Sequence, residues 1–122
     1  MPNNAKESGI EAAMRQIYQK LVRDLIPARL TAAGQRYEAR VLNEADYRTA
    51  LLAKLVEEAQ EVQAAEDIAD VVAELADVAE VMAALMDAYG IDPAQVRLAQ
   101  DEKRAERGGF EGRVELVWVE EV

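Results

Sequence analysis

Five carboxylates stand in the middle of the chain in two short runs: Glu57, Glu58 and Glu61 in "EEAQE", then Glu74 and Asp77 in "ELAD" twelve residues further on. Leu, Val and Ala fill most of the surrounding positions, so both runs read as amphipathic helices. At about 100° per residue, measured from Leu55, Glu58 lies about 60° away, Glu61 about 120° and Glu57 about 160°, all on one flank. Measured from Leu75, Glu74 lies about 100° away and Asp77 about 160°, again on one flank. A turn near Glu66 and Asp67, with Asp67 as N-cap and Asp70 as its partner acid, folds the second helix back on the first. In such an antiparallel hairpin Glu58 confronts Asp77 and Glu61 confronts Glu74, so four carboxylates converge. Like charges that close raise one another's pKa and oppose ionisation, and a divalent cation relieves them. Hard oxygen ligands select Mg²⁺, with Mn²⁺ as the alternative, over zinc. Acids on a helix flank are also the ordinary way to solvate it. What solubility does not require is matched pairing across a hairpin.

The rest of the chain must position these groups. At 122 residues, with 51% hydrophobic residues and few aromatics, it is one mainly helical domain with a modest core. From Asp46 to Ala65 the apolar positions Leu51, Leu52, Leu55, Ala59 and Val62 form a stripe; from Ile68 to Tyr89, Val71, Val72, Leu75, Ala79, Met82 and Met86 form another. Gly90 ends the second helix, and Asp92 with Pro93 opens a third that runs to Gly108. Ile10, Ala13, Met14, Ile17 and Leu21 predict an N-terminal helix behind a Ser8 and Glu11 capping box, and Pro27 begins a short helix that ends near Gly34. The alternation in "YEARVL" (37–42) and in "RVELVWVE" (113–120) predicts two strands that pair. The expected fold class is therefore all-α: an antiparallel helical hairpin in an oligomeric bundle, with a small β element. Residues 1–15 form an N-terminal extension and 16–122 the domain.

The absence of Cys and His removes disulfides, thiolate sites and the commonest general base. A net charge of −10 speaks against a nucleic acid polymer as partner. No segment resembles a signal peptide or a membrane span, and the expected location is the cytoplasm.

"EEAQE", a twelve-residue spacer and "ELAD" resemble the E-E-x-x-E and E-x-x-D signature of the MazG-like all-α NTP pyrophosphatases. With "KLVRDLIP" and "RGGFEGRVEL" on either side, the chain from about Tyr18 onward is similar to the phosphoribosyl-ATP pyrophosphohydrolase-like branch of that superfamily. The resemblance implies Mg²⁺-dependent hydrolysis of a nucleoside triphosphate between the α and β phosphates, giving the monophosphate and pyrophosphate, often to remove unwanted nucleotides. It makes Glu58, Glu61, Glu74 and Asp77 metal ligands. Glu57 becomes a second-metal ligand or the base that positions water, so catalysis falls to Glu57, Glu58 and Glu61.

A triphosphate needs cations beyond the metal. Arg97, Lys103, Arg104 and Arg107 share one face of the third helix, with Lys103 and Arg107 as phosphate contacts or as charges offsetting the helix dipole. Lys20 and Arg23 contact phosphate or pair with Asp24. Lys54 contacts phosphate or bridges to Glu58 one turn on. Gly108 and Gly109 read as a helix stop, and Trp118 as packing at an interface. Two other functions remain open: phosphoribosyl-ATP hydrolysis, and a catalytically silent helical module whose apolar stripes bind a partner protein. A homodimer or homotetramer is expected in either case.

Overall fold

A computed structural model describes residues 15–122. They form four helices: α1 (Ile26–Ala32), α2 (Glu44–Ala64), α3 (Ile68–Ala88) and α4 (Pro93–Arg107). The chain divides into two units with the boundary between Lys54 and Leu55, inside α2.

Local chemistry accounts for the helix ends. Pro27 stands in the first turn of α1, where its missing N–H costs nothing. Gly34, at φ 73°, closes that helix: its own N–H donates to Thr31 and that of Gln35 to Leu30. Asn43 caps α2, its side-chain oxygen accepting the Asp46 N–H at 2.8 Å. Asp67 caps α3 in the same way, accepting from the Asp70 N–H at 2.8 Å. At the other end of α3, Gly90 at φ 66° lets the Ile91 N–H reach Met86 and its own N–H reach Asp87. Asp92 and Gln95 then make a reciprocal capping box that starts α4.

The covered faces of the long helices differ from the expected stripes in an informative way. On α2, Leu51 and Glu58 are buried while Leu55 and Val62 are half-buried, a stripe at spacings of four, three and four. On α3 the covered positions are Val71, Glu74, Asp77, Val78 and Val81, then Ala84, Leu85, Met86 and Ala88 toward its end. Val72, Leu75, Ala79 and Met82 of the expected stripe are exposed in the single chain. α3 thus carries two apolar faces, and the covered one includes the acids.

Two expected features do not form. Residues 10–14 of the expected N-terminal helix lie outside the described residues, and 15–23 are not helical. Gln19 sits at φ 44°, which breaks a right-handed helix. Among the described residues there is no strand, so 37–42 and 113–120 do not pair. Residues 35–41 and 113–122 are exposed, so the backbone groups that pairing was expected to serve are open to solvent. No helix among the described residues is long and apolar enough to cross a membrane.

Candidate metal centre

The turn between α2 and α3 sets the register of the hairpin, and that register decides which acids meet. Glu58, Glu74 and Asp77 each place a carboxylate oxygen within 4.8 Å of the others. Glu58 is the anchor of this group. At 7% exposure it is buried, and it occupies a position in the covered stripe of α2 that an aliphatic side chain would otherwise take. Glu74 and Asp77 are half-buried on the face of α3 opposite it.

Glu74 feels the cluster most. Partial removal from water raises its pKa first, and the charges of Asp77, Glu61, Glu58 and Asp70 raise it further. Glu61 is exposed and lies outside the group of three, yet its charge acts on Glu74. Glu57 is half-buried and also outside that group. Asp70 is the residue that sequence reasoning missed as part of this field. The spacing reads its side chain as the capping partner of Asp67, whereas the bond between them runs from the Asp70 N–H to the Asp67 side chain, and the Asp70 charge acts on Glu74 one turn on.

Three oxygen donors, no nitrogen or sulfur donor in the group, and mutual repulsion that raises a carboxylate pKa fit a hard divalent cation.

The candidate cations are distributed over both units. Lys20 and Arg23 belong to the unit before the boundary, with the Lys20 Nζ 5.6 Å from the centre of the Tyr18 ring. Lys54 is the last residue of that unit and is half-buried. Lys103 and Arg107 are exposed on α4 and line an open cavity of about 960 Å³, whereas Arg97 does not line it. Arg104 donates to Glu111 at 2.6 Å, a partner beyond the helix end rather than on α4 itself. That bond holds the Glu111 carboxyl below the usual range, assisted by its own backbone N–H. Gly109 packs so close to the Arg104 guanidinium and the Glu111 carboxylate that a Cβ there would strike both. The "GG" pair is therefore a stop at Gly108, which sits at φ 83°, and a close approach at Gly109.

The model of the phosphoribosyl-ATP pyrophosphohydrolase family matches residues 18–104, a span that contains all five acids of the two runs. The chain belongs to that family. Phosphoribosyl-ATP pyrophosphohydrolases form part of the MazG-like all-α NTP pyrophosphatase superfamily, and their shared activity is pyrophosphohydrolysis. No curated protein and no solved structure matches the chain.

Proposed function

We propose that this protein is a divalent-metal-dependent nucleoside triphosphate pyrophosphohydrolase that cleaves the bond between the α and β phosphates, releases the monophosphate and pyrophosphate, and clears unwanted nucleotides from the cytoplasmic pool. The observation that carries this reading is the buried Glu58 within 4.8 Å reach of Glu74 and Asp77. A fold that needed acids only for solubility would not bury one of them among two others.

Mg²⁺ or Mn²⁺ held by Glu58, Glu74 and Asp77, with Glu61 completing the set, would supply charge neutralisation at the phosphate oxygens and acidify a nearby water. The chain's own residues do the rest. Burial fixes Glu58, so the donor set is organised before substrate arrives. Glu57, the residue before Glu58 on α2, accepts the proton of the attacking water. Lys103 and Arg107 offset charge on the phosphate chain.

Phosphoribosyl-ATP is the second reading, favoured by the family whose model matches, and it contains the same anhydride. The test is a panel of canonical and modified nucleoside triphosphates together with phosphoribosyl-ATP, each incubated with Mg²⁺ or Mn²⁺ and resolved by phosphorus NMR. Pyrophosphate with a monophosphate establishes the reaction, and the fastest substrate separates the two readings. Release of inorganic phosphate rejects both in favour of cleavage at another bond, and no turnover of any member leaves the silent module.

A further inference from the structure

The cavity at the end of α4 is not explained by the acid cluster. The chain carries a net charge of −10, yet Lys103 and Arg107 stand one turn apart on an exposed face and line the same cavity, and neither makes an ion pair among the described residues. Arg104 beside them is committed to Glu111. That bond, with the close approach of Gly109, pins the loop after the helix back onto α4 and sets Phe110 in the cavity wall. The ring is 96% exposed on a loop that is held in place. A volume of about 960 Å³ lies within the range of small-molecule sites.

From these features we propose that the cavity receives a nucleotide, with Phe110 as the surface on which the base stacks and Lys103 and Arg107 as contacts to its phosphate chain. The inference deepens the reading that the chain acts on nucleotides and rests on it. Unpaired cations one turn apart suit the successive charges of a phosphate chain, and an exposed ring beside them suits any flat base. Phe110 then holds the base without discriminating among bases, and Glu111 acts as a positioning residue through Arg104.

The test measures equilibrium binding to the full chain in chelator, with ATP, inorganic tripolyphosphate and adenosine as probes. ATP should bind more tightly than either of the others. Phe110→Ala should weaken ATP roughly five- to hundredfold, the range for loss of one base–aromatic stack, and leave tripolyphosphate unchanged. Phe110→Trp should restore it. The double substitution Lys103→Gln and Arg107→Gln should weaken ATP and tripolyphosphate alike. The proposal is overturned if ATP does not bind at millimolar concentration, if it binds no better than tripolyphosphate, or if Phe110→Ala changes the oligomeric mass but not ATP binding. A decathymidylate that outcompetes ATP would also overturn it, in favour of a single-stranded polymer. Because neither cation nor turnover enters the assay, an inert protein with this binding pattern defeats the hydrolase reading alone. Turnover without this pattern defeats the pocket alone.

Discussion

Glu74 shows what the cluster costs in the absence of a cation. Its folded-state pKa lies above the ordinary value, so the folded chain binds more protons than the unfolded chain in the interval between the two. Stability therefore falls as pH rises through that interval, and the metal-free protein should melt at a higher temperature at mildly acidic pH than at neutrality. Thermal melts in chelator across that range check the sign. Glu74→Gln should flatten this part of the profile, and an unchanged slope would count against the cluster as its source. The double substitution Glu61→Gln and Asp77→Asn separates ligation from mere acidity. Turnover should fall by roughly a hundredfold or more, while metal-free stability holds or rises. Added Mg²⁺ should then stabilise only the wild type, by about 2.7 kcal/mol at a hundred times its dissociation constant. An active double mutant that responds to Mg²⁺ like the wild type would reject the assignment. The i, i+3 spacing of Glu58 with Glu61 and of Glu74 with Asp77 made the acidic face readable. The depth of Glu58 was not, because helical angles give a direction around one axis and say nothing of how closely a second helix covers it.

At the level of elements, what was legible is what short-range chemistry decides. Asp67, Asp92 with Pro93, Gly34 and Gly90 mark helix ends through bonds within a few residues, and the structure places the ends there. Asp67→Ala should remove the bond to the Asp70 N–H and destabilise the hairpin by about 1 kcal/mol, read from urea unfolding, with Asp67→Ser close to wild type. No change on Asp67→Ala would mean that the turn is held elsewhere. What was not legible depends on partners distant in sequence. The alternation of Tyr37 to Leu42 assigns side chains to faces but cannot say whether another strand lies beside them, and none does among the described residues. The expected helix through Ile17 and Leu21 failed similarly, since apolar spacing alone did not forbid the left-handed turn at Gln19.

For the whole molecule, the exposed apolar face of α3 carries the largest consequence. Ile68, Val72, Leu75 and Met82 follow one another at spacings of four, three and seven, and all are exposed. With these four side chains between 41% and 79% exposed, covering them is worth about 3.5 to 7 kcal/mol per copy, and a two-fold contact covers them on both copies. The sum can exceed the cost of association, which is about 4 to 15 kcal/mol. The chain should therefore run as a dimer or tetramer in solution scattering. Val72→Glu should shift it toward monomer, and a wild-type monomer at micromolar concentration would refute the contact.

Only Leu51 and Val81 are buried hydrophobics among the described residues, so a single copy has little to hold it folded. If assembly supplies the remainder, folding is second order in chain: the melting temperature should climb with protein concentration, and activity per mole should rise rather than stay constant as an assay is made less dilute. A cell could then set the activity of such an enzyme by abundance alone, more steeply than in proportion to the number of copies it makes.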